Sequence, residues 1–361
     1  MISPRDSSIR PPGEHGCFLD VGTLPQAFLT SLRIAPRVAS GKGVVDMRSA
    51  DDRSRNGATT WCGDGRLNIE AADTRSEGIR YLGGGREREA GCTDDVIDTL
   101  RRWIADHRRV FVLTGAGCST ASGIPDYRDE NGEWKRRPPV MILAFRTEDA
   151  VYRRYWARAY AGWRRFTAAA PGTAHRALAA WESAGTLAQL VTQNVDGLHQ
   201  RAGSRAVIDL HGRLDQVVCL DCGRRTSRED TQTMMTAANP RWTAPAEAAP
   251  DGDADIDASA IESFTPPRCD HCGGLLKPDV VFFGENVPRQ RVEDARAALA
   301  NADAVLVAGS SLMVYSGFRF VRHAHDVGLP IAIVNRGLTR GDSFAELKVE
   351  GDVGALLAAA I

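Results

Sequence analysis

Apolar residues are distributed unevenly along this chain. Up to about residue 92 they lie scattered among Gly, Arg, Ser and Asp without a sustained period, and only residues 25–32 suggest a short helix. Such a stretch cannot bury enough apolar surface to offset its ordering entropy, so it reads as a weakly ordered extension, the alternative being a small regulatory arm packed on the body. From Thr93 the pattern changes. Val96, Ile97, Leu100 and Ile104 recur at helical spacing behind an N-cap threonine and two aspartates, which predicts an amphipathic helix. The unbroken run Val110, Phe111, Val112, Leu113 predicts a buried strand. Helices are predicted over 150–166 and 173–183, and strands over 187–192, 302–308 and 330–334. Strands alternating with helices indicate an α/β fold, a parallel sheet covered on both faces. Residues 219–276 interrupt the alternation and read as a smaller module inserted between 93–218 and 277–361. The aromatic positions of the 150–166 helix (Tyr152, Tyr155, Trp156, Tyr160, Trp163) read as packing rather than as substrate stacking.

Composition narrows the class. A chain of 361 residues with 43% hydrophobic content can bury a sizeable core, and a formal net charge of −1 offers no electrostatic argument for a nucleic-acid partner. No apolar run approaches the roughly 18 residues of a membrane span. The first residues lack the apolar segment of a secretory signal, and Asp6, Glu14 and Asp20 argue against an organelle presequence. The expectation is a soluble cytoplasmic protein; its oligomeric state stays open.

The candidate chemistry clusters after the strands. Thr114 to Asp129 reads T-G-A-G-C-S-T-A-S-G-I-P-D-Y-R-D. Gly115 and Gly117 remove side chains where backbone must approach a phosphate, and Ser119 and Thr120 add hydroxyls, so a strand, this loop and a following helix would bind a dinucleotide. The dehydrogenase fingerprint is absent, since Thr120 stands where its third glycine would fall. Ile124, Pro125, Asp126 and Arg128 make the loop too elaborate for simple phosphate binding and suggest a nucleotide site that also performs chemistry.

Of eight cysteines, four form two C-x-x-C pairs, Cys219/Cys222 and Cys269/Cys272, each followed by a glycine. Two such knuckles complete a tetrahedron around one zinc ion, and four thiolates leave it no open position, so the zinc would be structural; a redox dithiol is the alternative. The acidic segment 249–257 between the pairs reads as a solvated loop rather than a calcium loop.

Four further constellations carry candidate chemistry. In Thr192-Gln-Asn-Val-Asp-Gly-Leu-His199, Gln193, Asn194 and Asp196 would contact a ribose or an amide, or else form an Asx-type turn. His211, in Asp209-Leu-His-Gly212, lies between the nucleotide loops and the cysteine module, where an imidazole could serve as base; a structural histidine is the alternative. Gly309-Ser310-Ser311 and Asn335-Arg336-Gly337 offer donors for a ribose or phosphate, although each alone reads as a strand-ending turn.

Taken in this order, the motifs G-A-G-C-S-T-A-S-G-I-P-D-Y-R, T-Q-N-V-D-G-L-H, L-H-G, the two cysteine pairs, K-P-D-V-V-F-F-G-E and G-S-S-L-M-V-Y-S resemble the sirtuin family of NAD-dependent protein deacylases from about residue 93 onward. The long gap between the cysteine pairs and V-Y-S-G in place of V-Y-P resemble its class II branch, which includes the mitochondrial lipoamidase-like sirtuin of animals. The tyrosine and arginine pair typical of desuccinylating members is not apparent. The resemblance implies a Rossmann-like domain with an inserted zinc-binding module, NAD as co-substrate, one structural zinc and an acylated protein or peptide as partner. NAD would lie across Gly115, Ala116, Gly117 and Ser119, with Tyr127 and Arg128 in the covering segment and Gly309, Ser310, Ser311, Asn335, Arg336, Gly337 and Val353 around the adenosine. Ile124, Gln193, Asp126, Asn194 and Asp196 would line the nicotinamide end. His211 would be the general base, Asn194 a second catalytic residue, and residues 280–283 would pair with the substrate peptide as an added strand. Mono-ADP-ribosyl transfer and a non-catalytic NAD sensor remain the alternative activities.

Overall fold

The computed structural model describes residues 80–82, 90–135, 139–243, 247–248 and 254–360. The elements begin with strand β1 (Arg80–Leu82), helix α1 (Ala90–Ala105), β2 (Val110–Thr114), α2 (Ile142–Thr147), α3 (Asp149–Ala168), α4 (Thr173–Ser183) and β3 (Leu187–Thr192). Next come α5 (Leu198–Arg201), β4 (Val207–Asp209), β5 (Gly212–Cys219), β6 (Arg225–Ser227), α6 (Arg228–Ala238), β7 (Glu247–Ala248), β8 (Ala254–Asp255) and α7 (Ala258–Glu262). The chain continues through β9 (Leu276–Val280), α8 (Arg289–Ala300), β10 (Ala304–Ala308), α9 (Tyr315–Asp326), β11 (Ile331–Val334), β12 (Leu347–Val349) and α10 (Val353–Ala359).

Seven strands form one parallel sheet in the order β1-β12-β11-β10-β2-β3-β4. The unbroken apolar run of β2 follows from burial on both sides. Val110 and Val112 point into a core with Leu100 and Trp103 of α1, Leu178 and Trp181 of α4 and Leu357 of α10. Phe111 and Leu113 point the other way, against Val292 and Leu299 of α8 and Phe318 and Val321 of α9. From β2 the chain runs outward through β3 to β4, then returns to β10 on the other side of β2. The carboxyl ends of β2 and β10 therefore flank a topological switch point, where doubly wound sheets bind ligands.

The smaller lobe contains the antiparallel sheet β6-β5-β9 and the β7–β8 hairpin. Its core differs from the expected single insertion. Phe145 of α2 and Tyr152, Tyr155 and Trp156 of α3 pack with Val217, Met235, Phe264 and Leu276. Arg228 of α6, 2% exposed, lies over the Trp163 ring, 4.5 Å from its centroid, and donates to the Ala159 carbonyl at 3.0 Å. Residues 142–168 thus belong to the small lobe, which is assembled from two insertions. The aromatic period identified a buried face; which neighbour covers it is a tertiary matter that period cannot specify. The packing reading of the aromatics holds, with one addition, since Tyr155 also borders the cavity described below.

Four other expectations change. Arg80–Leu82, inside the stretch read as a weakly ordered extension, is an edge strand paired in parallel with Leu347–Val349; residues 1–79 and 83–89 lie outside the described residues. Helix α1 starts at Ala90, so Thr93 is inside it and is not its N-cap; a cap preference of about 1 kcal/mol does not stop a helix that can extend backward. No α-helix follows the glycine loop directly. Two 3-10 turns, Ala116–Cys118 and Thr120–Ser122, stand there, ended by Gly123 in the left-handed region (φ 82°) and followed by Pro125. Of the acidic segment read as a loop, residues 249–253 lie outside the described residues, while Ala254–Asp255 pairs with Glu247–Ala248.

Candidate functional site

A cavity of about 810 Å³ opens over the switch point and extends between the two lobes. It is large enough for a dinucleotide plus an acyl-lysine side chain. Gly115, Ala116, Gly117, Ser119, Ile124, Asp126, Tyr127, Arg128, Gln193, Asn194 and Asp196 all line it. So do His211, Gly309, Ser310, Ser311, Asn335, Arg336 and Val353. Gly337 does not. Its φ of 79° turns the chain after β11, and the neighbouring Leu338 N–H donates to the Glu130 carbonyl at 2.9 Å, so this residue buttresses the 129–130 loop from outside the cavity.

The glycines of the first loop act chiefly through chain crossing. The Gly115 N–H donates to Ala308 O at 3.1 Å and that of Gly117 to Gly309 O at 2.8 Å. A Cβ on Gly117 would lie 2.9 Å from the Gly309 Cα. The two loops therefore touch backbone to backbone, which only glycine permits. The Cys118 and Ser119 amides are also committed within the loop. Cys118 is a packing thiol: it is buried, donates toward Ala308 O at 3.3 Å, and burial pushes its pKa up to about 12.

Beneath the loop lies a polar network. Asn194 Nδ2 donates to Gly115 O at 3.0 Å and to Ser119 Oγ at 3.1 Å, and Ser119 Oγ–H donates to Asp196 Oδ2 at 2.7 Å. Gln193 Nε2 donates to Ser310 Oγ at 2.8 Å, linking the β3 and β10 loops. The T-Q-N-V-D segment forms the Asx-type turn, since Asp196 Oδ1 accepts from the Leu198 N–H at 2.9 Å, while Gln193, Asn194 and Asp196 also border the cavity. His175 and His199 pack against each other behind the network, rings tilted at 59° with centroids 4.7 Å apart.

Burial drives His199 down to about 3 and lowers His175 too. An unfolded histidine titrates near 6.5. Below that pH the unfolded chain binds protons that the folded chain refuses, so stability is full above about pH 6.5 and falls as pH drops toward the folded values. A melting temperature measured from pH 8 to 4.5 is expected to stay flat at first and then to decline below about 6.5. A curve that is level throughout would contradict this account.

His211 lies at the junction of the lobes, at the end of β4 and the start of β5. Its Nδ1 is 2.9 Å from the Gln193 carbonyl, which can only accept, so Nδ1 carries the proton. Nε2 is therefore unprotonated and accepts from Ser316 Oγ–H at 2.7 Å. Burial pushes His211 down to about 4, and the Arg291 and Arg319 guanidiniums act in the same direction, against the Gln193 carbonyl. The ring is thus a neutral base with one aimed lone pair. Ser316 was inside a quoted motif but was not singled out, because nothing in sequence pairs it with a histidine 105 residues away. Trp134, against which Arg128 stacks at 3.9 Å, and Arg319 are other cavity residues that the motifs did not single out.

The four cysteines come together. Their sulfurs all lie within 4.8 Å of one another, with Cys219–Cys272 at 3.5 Å and Cys222–Cys269 at 3.8 Å. A tetrahedron with Zn–S bonds of about 2.3 Å has edges near 3.8 Å, so the donor set fits one zinc ion. The two knuckles match: Gly223 N–H donates to Cys219 O at 3.0 Å and Gly273 N–H to Cys269 O at 2.8 Å, both glycines in the left-handed region.

Comparison with known proteins agrees with this geometry. The model of the Sir2 family matches residues 115–316. An NAD-dependent protein deacetylase of Xanthomonas axonopodis pv. citri is 60% identical over 261 residues, covering 72% of this chain and 89% of that protein. NAD-dependent protein deacetylase 2 of Bradyrhizobium diazoefficiens is 57% identical, covering 72% and 96%. Among solved structures, a Sir2 protein with a deacetylated p53 peptide and 3'-O-acetyl ADP ribose superimposes with a TM-score of 0.60 at 32% identity, over 73% of this chain and 96% of that one. A Sir2–p53 peptide–NAD+ complex gives 0.58 at 32% identity, over 72% and 95%. The chain belongs to the Sir2 family. It is an NAD-dependent protein-lysine deacylase.

Proposed function

We propose that His211 is the general base of this deacylase, and that the single observation carrying the assignment is its fixed tautomer: Nδ1–H held by Gln193 O and an unprotonated Nε2 that accepts from Ser316 in the cavity wall. NAD supplies the electrophilic ribose carbon and the nicotinamide leaving group. Nε2 takes a proton from a ribose hydroxyl once substrate displaces the Ser316 hydroxyl from it. Asn194 and Asp196 hold Ser119, and through it the loop, at the nicotinamide end. Because Gly117, Cys118 and Ser119 amides are spent inside the protein, and the Thr120 hydroxyl donates to Gly117 O at 3.1 Å, the hydroxyls of Ser310 and Ser311 and the Arg336 side chain supply the polar contacts to the dinucleotide. Asn335 and Val353 border the adenosine end.

The lobe-facing wall of the cavity is apolar: Val140, Tyr155, Val195, Leu214 and Phe282. It suits an uncharged acyl chain, since a carboxylate buried there would lose hydration without a partner. The V-Y-S-G sequence, with Ser316 on His211, favours the class II branch of the family. We place the protein in the cytoplasm. Among the described residues no helix is long and apolar enough to cross a membrane, and a cluster of four unpaired thiols suits a reducing compartment.

The test is nicotinamide release from NAD against a panel of acyl-lysine peptides. The expected result is release that requires an acyl peptide, yields the O-acyl-ADP-ribose, and is faster with uncharged acyl groups than with succinyl. Release that leaves ADP-ribose on protein instead would replace deacylation by ADP-ribosyl transfer; NAD binding without release would leave a sensor.

A further inference from the structure

Next to the main cavity is a second one of about 390 Å³, lined by Arg296, Tyr315, Arg319, Arg322, His323 and Asp326. Tyr315 and Arg319 line both, so the two adjoin at these side chains. Tyr315, Arg319, Arg322, His323 and Asp326 follow helical spacing along one face of α9, and Arg296 faces them from α8. The guanidiniums of Arg319, Arg322 and Arg340 lie 5.3, 5.4 and 6.0 Å from the centre of the Tyr315 ring. Arg322 Nη2 also donates to the Tyr315 hydroxyl at 2.8 Å.

Several surface arginines elsewhere pair with carboxylates: Arg213 with Asp215, Arg225 with Asp279, Arg289 with Glu293, Arg268 with Asp149. Among the described residues, Arg296, Arg319, Arg322 and Arg340 make no ion pair, and Arg319 Nε is buried without a hydrogen-bond partner. Asp326 is the one carboxylate that borders the basin. Like charges collected around one ring repel each other unless an anion joins them.

We propose that this basin binds acidic side chains of the acylated protein near the target lysine, so that the enzyme selects lysines in acidic sequence surroundings. The inference rests on the deacylase reading above. Position favours a peptide over other anions. Tyr315 immediately precedes Ser316, whose hydroxyl touches His211. The basin therefore opens within a few residues of the reacting centre, beside the part of the main cavity bordered by residues 280–283 and 314–316, where the substrate peptide is expected. The dinucleotide-side residues Gly115, Ser119 and Arg336 do not border it. It is also a single compact basin rather than the extended basic track a nucleic-acid backbone requires.

The test uses the full chain with matched acyl-lysine peptides carrying glutamate, alanine or lysine at flanking positions. Wild type is compared with Arg296→Ser, Arg322→Ser and the double variant. Several exposed pairs acting together predict about tenfold higher kcat/KM for glutamate over alanine peptides. The preference should reside in KM, shrink at high salt, and fall toward unity in the double variant. Fluorescence anisotropy of labelled peptides without NAD keeps the measurement independent of turnover. No glutamate preference in wild type, or one that survives the double substitution, overturns the proposal. So does tight RNA binding that is lost in the same variants while peptides are not discriminated by charge. Failure of wild type to turn over any acyl peptide would instead strike the deacylase reading, while anisotropy still decides the basin.

Discussion

Replacing His211 by alanine is expected to lower kcat for deacylation by about 10²- to 10⁴-fold, the usual contribution of a positioned general base. NAD affinity should change little, because the ring bonds Gln193 O and Ser316 Oγ and stands apart from the Gly115–Gly117 loop. The pH profile offers a second check. A histidine held near 4 by burial and by Arg291 and Arg319 is already unprotonated at neutral pH, so the acid limb of kcat/KM should fall below the ordinary 6.5. His211→Gln keeps a hydrogen-bonding side chain in the site; matching melting temperatures for both variants and wild type would separate lost chemistry from lost fold. Turnover within threefold of wild type in either variant would remove His211 from the base role and make it a structural link between β4 and β5.

Much of this site was legible because its signals are local. Strand β2 declared itself by an unbroken apolar run, and the ends of β2, β3, β10 and β11 were readable as loops rich in Gly, Ser and Asn. Helix α4 and strand β3 fall on the expected residues, 173–183 and 187–192. The cysteine set was legible from spacing alone, since a knuckle closes within a few residues. What escaped depends on distant partners. The aromatic stripe of α3 could not say that it packs on Phe264 and Leu276 rather than on the large sheet. Ser316 looked like any helix-start serine until folding set its hydroxyl on Nε2. Gly337 shared a motif with Asn335 and Arg336, yet a left-handed turn carried it out of the cavity. The glycine loop was legible as a loop, but the crossing of Gly117 over Gly309 depends on β2 and β10 being neighbours, which only the topology shows.

Removing the metal is expected to be the most damaging single change to the small lobe. A structural zinc held by four thiolates contributes on the order of 10 kcal/mol to the fold it closes, which exceeds the typical net stability of a whole domain. Here the ligands join two separate knuckles, and the strands leading from them, β5 and β9, pair directly, Cys219 opposite Leu276. The same β5–β9 pair starts at Gly212, adjacent to His211, and His211 O accepts from the Val281 N–H at 2.8 Å. Loosening the knuckles therefore releases the wall of the cleft and the base together. Cys269→Ser, or a strong chelator applied to the wild type, should lower the melting temperature by well over 10 °C, release about one zinc per chain in a colorimetric assay, and abolish deacylation. Zinc added back after chelation should restore activity; added to the serine variant it should not. The large sheet has its own core on both faces, so far-UV circular dichroism should retain most of its helix signal while the small lobe opens. A Cys269→Ser protein that melts like wild type and keeps its turnover would show that the lobe closes without a four-thiolate metal site.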